Sequence, residues 1–431
     1  MLLTIEKLIY GGDGLARTPP DVDGRSMAVF VPFVLPGERV EAEIASGKAG
    51  FARGSAAKLV EASAERIAGA CTYYERCGGC HYQHIPYERQ LQYKAGILRE
   101  TLQRIAKIKL GPEIQLHASP PWNYRNRARL QVRIAPEFAL GYFRFGSHEF
   151  LPVRECPISS PLINQVLSRL TELQGCECPA GIEEIELFAD AGDERLLAWA
   201  FCGRDADAEP LGRWAETVRR EVPTIAGITF FPTRRRSEEE EPTDMRPLAL
   251  SGASEILYKA QDAEYHVSAG SFFQVNRHLV DEMVSTVTGN AEGELALDLY
   301  AGVGLFSVAL AKKFHHIFAV EASQTSYGDL VHNGQPNVRA VRARMEEFQR
   351  PSRQRPDLVV LDPPRAGVGK AVTRLLVELE ARRVRYVSCD PSTLARDLVP
   401  LLAAGYRIEE AHLFDLFPQT FHIESVMLLA R

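Results

Sequence analysis

The sequence predicts a multidomain α/β protein with three parts. These are a small N-terminal β-barrel, a central, mostly antiparallel α+β region, and a C-terminal doubly wound parallel sheet. Three observations predict it. At 431 residues the chain is long for one core. Its start carries short alternating segments such as MAVFVPFVLPGERVEAEI, broken by GGDG, TPPDVDG and GKAG, which is barrel punctuation. From about Asp281 onward strands and helices alternate, as in a parallel sheet covered on both faces. The expected boundaries are 1–62, 63–262 and 263–431, with the helix near 86–106 of the central part expected to pack on the C-terminal one.

Composition excludes some classes. With 45% hydrophobic and 25% charged residues the chain is an ordinary globular one. No apolar run approaches the roughly 18 residues of a membrane span. MLLTIEKLIYGGDG lacks a basic region followed by a long apolar one, so a cytoplasmic protein without a signal peptide is expected. A net charge of −6 argues against a uniformly basic nucleic-acid binder, although the distribution of charge matters more. The run YRNRARLQVR (Tyr124 to Arg133) holds four arginines, which fits a nucleic-acid stripe or a solvated strand face equally well. RRRSEEEE (Arg234 to Glu241) neutralises itself and reads as an exposed loop.

After the barrel, Cys71, Cys77 and Cys80 form a C-x5-C-x2-C cluster, CTYYERCGGC, with Gly78 and Gly79 free to wrap closely round a bound centre. Three unrelated core cysteines would not crowd in this way. Three thiolates are one short of a closed site. Cys156, followed by a proline, is the best fourth candidate; Cys176 and Cys178 compete, and Cys202 reads as strand filler. Spacing does not choose between zinc and an iron–sulfur cluster. YERQLQYKAGILRETLQRI is helical by periodicity, and RARLQVRIA, EEIELFAD, RLLAWAFC and GITFFP are strand-like.

The C-terminal region has Rossmann-like texture. ELALDLYAGVGLFSVALAKKF reads as strand, glycine turn and helix, and the next strand ends in Glu321. Gly302 and Gly304 let backbone approach a ligand, and an acid about 20 residues on can hold ribose hydroxyls. The third glycine of the dinucleotide fingerprint is missing. With Asp298 at the strand end, the pattern fits the adenosine half of S-adenosylmethionine better than a pyrophosphate. LDPPRAG places Asp362 and Arg365 around two stiffening prolines at the next strand end. A loop that merely turns the chain is the plainer reading of Pro-Pro. VRYVSCDPSTLARDL puts Cys389 at the end of a further strand, and Glu424 opens the last one. A strand-end cysteine is usually a small apolar filler. Here it falls at the edge where open α/β sheets bind ligands.

These residues resemble the S-adenosylmethionine-dependent RNA uracil-C5 methyltransferases, closest to the iron–sulfur branch acting on 23S rRNA. The likeness spans essentially the whole chain. The start is similar to the family's TRAM (OB-like) RNA-binding barrel, and CTYYERCGGC with Cys156 to its [4Fe-4S] site. GSFFQVN, DLYAGVGLFS, LDPPRAG, SCDPSTLARDL and FPQTFHIES match the methyltransferase motifs in order. The resemblance implies Cys389 as nucleophile and Glu424 as base, with Gln274, Tyr300, Gly302, Gly304, Glu321 and Asp362 at the cofactor. The chemistry asks for a cysteine of lowered pKa, and the helix starting near Pro391 is expected to favour its thiolate. It also implies an RNA partner, rRNA ahead of tRNA; no membrane association is expected from the lack of a long apolar run, and a monomer is the default expectation. Two departures stand out: Leu305 cannot offer a side-chain hydrogen bond where related chains often carry Asn, and Arg344 replaces an expected polar residue near the adenine.

Rival readings remain. A cytosine-C5 methyltransferase commonly has Pro before its cysteine, whereas this chain has Ser388. An adenine-N6 enzyme usually has an aromatic after Pro-Pro, whereas this chain has Arg365. A non-catalytic iron–sulfur RNA-binding protein with a vestigial methyltransferase fold would not need both Cys389 and Glu424.

Overall fold

A computed structural model describes residues 1–48, 50–111, 113–203, 206–233, 246–349 and 354–431. Arg234 to Glu241 lie outside the described residues. The N-terminal strands β1 (Leu2–Leu8), β2 (Gly14–Arg17), β3 (Ala28–Val31), β4 (Arg39–Lys48) and β5 (Phe51–Glu61) close into a barrel in the order β1-β2-β3-β5-β4. Alternation sends Leu3, Ile5, Val29, Val31 and Val40 inward to a small core. Buried Glu38 ties the barrel to the segment beyond it: its carboxylate accepts from Leu35 N at 2.8 Å and from Arg66 Nε at 2.6 Å.

Helix α1 (Tyr87–Ala106) comes next, its buried Leu91, Ala95, Leu98 and Leu102 repeating at helical spacing along one stripe. Then β6 (Ile114–His117) joins a sheet whose other strands lie nearly 180 residues or more further on. The central sheet runs β13-β12-β11-β10-β7-β8-β9. Its members are β7 (Arg127–Arg133), β8 (Ala139–Phe143), β9 (Phe150–Pro152), β10 (Ile182–Ala189), β11 (Leu196–Cys202), β12 (Ile225–Pro232) and β13 (Ala249–Gly252). Only β11 and β12 pair in parallel. Helices α2 (Pro161–Glu172) and α3 (Ala208–Glu221) cover it, their Val166, Leu170, Trp214 and Val218 packing on Leu187, Ala198 and Phe230. A separate hairpin, β14 (Glu255–Ala260) and β15 (Ala263–Ser268), leads out of this region.

The C-terminal sheet is eight-stranded, ordered β18-β17-β16-β19-β20-β22-β21-β6. Its chain order is α4 (Val280–Thr288), β16 (Gly293–Leu299), α5 (Leu305–Leu310), β17 (Phe314–Glu321), α6 (Gln324–Asn333), β18 (Val338–Arg342), β19 (Leu358–Leu361), α7 (Gly369–Leu379), β20 (Arg383–Ser388), α8 (Pro391–Ala403), β21 (Arg407–Phe414) and β22 (Glu424–Ala430). Strands such as LVVL are apolar throughout because both faces are covered. Leu297 and Leu299 face one core with Leu98 of α1, Leu376 of α7 and Leu398 of α8. Ala296 faces the other with Met283 of α4 and Phe306 of α5. Thus α1 and β6, early in the chain, are parts of this late layer. Among the described residues no helix is long and apolar enough to cross a membrane.

Candidate active site and cysteine site

Four strand ends converge. β16, β17, β19 and β20 are parallel, so Tyr300, Glu321, Asp362 and Cys389 emerge on the same edge. β22 runs antiparallel to β20, and Ser388 pairs with Ser425. That register makes Cys389 and Glu424 the next residues outward on neighbouring strands.

The carboxylates in this crevice are buried and electrically opposed. Burial pushes Asp362 up to about 7, and a hydrogen bond from Gln274 Nε2 to its Oδ2 (3.2 Å) partly counters this. Burial, then the nearby Asp362 charge, drives Glu424 well above the usual carboxylate range, with Arg365 opposing. Asp298 is raised to about 7 for similar reasons and accepts from the Ser307 hydroxyl.

Cys389 departs from the expected lowered pKa. Its thiol is pushed up to about 12, first by burial and then by Glu424 and Asp362, while Arg365 pulls the other way. The expected help from the helix N-terminus is largely spent. Asp390 caps α8, its carboxylate accepting from Ser392 N (2.8 Å) and Thr393 N (3.0 Å).

The glycine turn is shaped for close backbone approach. Gly302 has φ +56°, and no protein atom lies within 4 Å of where its Cβ would be. Gly304 has φ +92°, and a Cβ there would strike Leu330 at 2.9 Å. Glu321 receives Gly302 N at 2.8 Å and Ser323 N at 2.7 Å, so its carboxylate is held across the turn. Leu305 has its side chain buried in the apolar core beneath this turn and its carbonyl accepting from the Tyr265 hydroxyl at 3.2 Å. Arg344 is exposed just beyond Ala343, whose N–H meets Glu321 O at 3.2 Å.

The arginine run is partly a solvated strand face, with Arg129 exposed, and partly a brace between elements. Arg127 bonds Glu186 and donates to Ser271 O (2.9 Å), Arg129 bonds Glu184, and Arg133 lies over the Phe150 ring. Asn126 N donates to Val275 O (3.0 Å) and its side chain to Gln274 O (3.1 Å). The segment braces GSFFQVN and so holds Gln274.

The loop between the last two strands was the part least legible beforehand. Gln419, at φ +67°, accepts His81 N and Tyr82 N at 2.9 Å each through its carbonyl. Gln90 of α1 exchanges side-chain bonds with it at 2.9 and 3.0 Å. Lys94 of α1 donates to Asp415 and to Phe417 O (3.0 Å). His422 lies 3.3 Å from Arg365, and burial lowers its pKa to about 3. Gln419 falls within FPQTFHIES, but no motif in the sequence marks its partners Gln90 and Lys94.

Cys71, Cys77, Cys80 and Cys156 face one another. Burial raises all of the first three, Cys77 to about 11, and the Cys156 charge adds to each. Cys156 is held from behind by Asn164 of α2, which accepts its N–H at 2.8 Å. Cys176 and Cys178 stand instead with Cys202 of β11. The donor set is all thiol, which suits an iron–sulfur centre or zinc. Among the described residues, however, no group of three or more His, Cys, Asp or Glu is drawn to metal-ligand spacing.

Fold and crevice together are those of an open α/β sheet whose ligand edge carries a thiol among buried carboxyls. Comparison with known proteins sharpens this. A family model described as tRNA (Uracil-5-)-methyltransferase matches residues 254–431, and a TRAM domain model matches residues 1–57. A 23S rRNA (uracil(1939)-C(5))-methyltransferase RlmD of Halomonas elongata is 33% identical, covering 99% of this chain and 89% of that one. An uncharacterized RNA methyltransferase of Caldanaerobacter subterraneus is 32% identical, covering 99% and 97%. The solved Pyrococcus abyssi tRNA (uracil-54, C5)-methyltransferase, in complex with S-adenosyl-L-homocysteine, is 25% identical over both whole chains with a TM-score of 0.75. The chain belongs to the RNA uracil-5-methyltransferase family and carries that family's TRAM domain.

Proposed function

We propose that the protein methylates C5 of one uridine in 23S rRNA through a covalent adduct at Cys389. The observation that carries this is the pairing of Ser388 with Ser425, which sets a thiol and a buried carboxyl side by side at the ligand edge of the sheet. C5 of uracil is too weak a nucleophile alone. Addition of the Cys389 thiolate to C6 makes the ring an enolate that attacks from C5. Glu424 then takes the C5 proton, the C5–C6 double bond re-forms and the thiolate leaves. S-adenosylmethionine supplies the methyl group and a sulfonium charge, and a cation in this crevice lowers the pKa of every acid around it. Gln274 orients Asp362, Gly302 and Gly304 leave room for the cofactor, and Glu321 and Tyr300 border its nucleoside end. The target uridine must be flipped out to reach a thiol at this depth.

Cys71, Cys77, Cys80 and Cys156 would hold a [4Fe-4S] cluster with a structural role. The protein acts as a cytoplasmic monomer. Similarity over the full chain to an enzyme named for 23S rRNA favours rRNA; similarity to a solved tRNA methyltransferase keeps tRNA as the second reading. Incubation with each RNA and methyl-labelled cofactor, followed by nucleoside mass spectrometry, tests this. 5-Methyluridine at one position of 23S rRNA is expected. No 5-methyluridine in either RNA would sink the reading and favour a non-catalytic RNA-binding protein.

A further inference from the structure

The barrel touches the nucleophile. The turn between β1 and β2 projects Tyr10 to the end of β20, where its hydroxyl donates to the Cys389 carbonyl at 3.2 Å. The Asp390 carboxylate, which caps α8, lies close enough to the same hydroxyl to raise its pKa, after burial. The Tyr10 ring meets Phe421 edge-on at 5.9 Å and 86°. Two residues later Gly12, at φ +95°, packs so tightly that a Cβ would come within 3.2 Å of Phe421 and 3.3 Å of His81. The turn therefore fits against both loops that carry the paired thiol and carboxyl, although 379 residues separate Tyr10 from Cys389.

We propose that Tyr10 is a positioning residue that fixes the main chain of Cys389, so that the docked barrel sets the direction of the thiol. This one bond, with the Tyr10 ring packed on Phe421, holds the short connection between β20 and α8 from the barrel side. Were the turn only interdomain packing, its polar contact would not need to fall on the nucleophile's own carbonyl. The inference rests on Cys389 being the nucleophile of the proposed reaction.

Tyr10→Phe tests it, since the ring stays on Phe421 and only the hydroxyl is lost; an unchanged melting temperature confirms folding. Two readouts are taken on the full chain. The first is the alkylation rate of Cys389 by iodoacetamide, followed on its peptide by mass spectrometry, which is expected to shift about threefold or more. The second is single-turnover methyl transfer at saturating RNA, expected to fall about tenfold with the RNA Kd unchanged, the equivalent of one hydrogen bond. A variant matching wild type in both readouts would overturn the assignment, and so would weaker RNA binding with an unchanged saturating rate. If the wild type makes no 5-methyluridine yet alkylation still shifts, the positioning role stands and the proposed reaction falls.

Discussion

Lys94 Nζ lies 2.6 Å from Asp415 Oδ1, and both side chains are wholly shielded from solvent. One comes from α1, the other from the start of the loop that leads to Glu424. Lys94→Met would leave the Asp415 charge buried and unpaired, a loss of about 3–5 kcal/mol. Lys94→Met with Asp415→Leu should recover most of it. Urea midpoints measure both, and a single variant as stable as wild type would remove the pair from the account.

Cys389→Ala should abolish covalent trapping of 5-fluorouridine RNA, because no thiolate remains to add at C6. Glu424→Gln should form the adduct and then fail to release methylated RNA. Gel shifts under denaturing conditions separate the two. An adduct with Cys389→Ala would place the nucleophile elsewhere.

Asp362 gives a pH dependence of defined sign. Its folded pKa, about 7, lies above its ordinary value of 3.8. Below roughly pH 4 both folded and unfolded forms hold the proton. As pH rises to about 7 only the unfolded form releases it, so the ligand-free protein loses stability across that window; above it the penalty is constant. Asp362→Asn should therefore raise stability at pH 8 by on the order of 2 kcal/mol and flatten this decline, while slowing methyl transfer. Melting curves from pH 4 to 8 read it out. A variant no more stable than wild type at pH 8 contradicts the burial argument.

Serine substitution at Cys71, Cys77, Cys80 or Cys156 should bleach the brown colour expected of anaerobically purified protein and lower its iron content. Substitution at Cys176, Cys178 or Cys202 should not. Metal analysis decides, and stoichiometric zinc without iron would replace the cluster with a zinc site.

The sequence made the late layer legible because its evidence is local. Glycine turns, apolar runs and acids at strand ends mark the ligand edge whatever lies elsewhere in the chain. Likewise CTYYERCGGC announces a thiol site by crowding alone. Apart from the packing of the 86–106 helix on the C-terminal part, partnerships across the chain left no such trace. Nothing near Gln115 shows that β6 pairs with β21, and nothing near Tyr10 shows that it meets Cys389. The arginine run stayed ambiguous because charge is visible in a sequence, whereas Glu184 and Glu186, which pair with Arg129 and Arg127, lie on a strand more than 50 residues away. The lowered pKa expected of Cys389 failed because burial, which the local sequence does not show, raises it first, and carboxyls from separate strands add to this.

The edge position of β6 also bears on synthesis. Helix α1 and β6 leave the ribosome early, yet their partners β21 and the Asp415 loop are among the last residues made. Between Lys94 and Asp415 lie 321 positions, about 15–60 s at ordinary elongation rates. Throughout that interval α8 and the Asp415 loop, which cover part of the apolar stripe of α1, are not yet made. Lys94 stands on that stripe, so its charge has no Asp415 to meet until the last residues of the chain emerge.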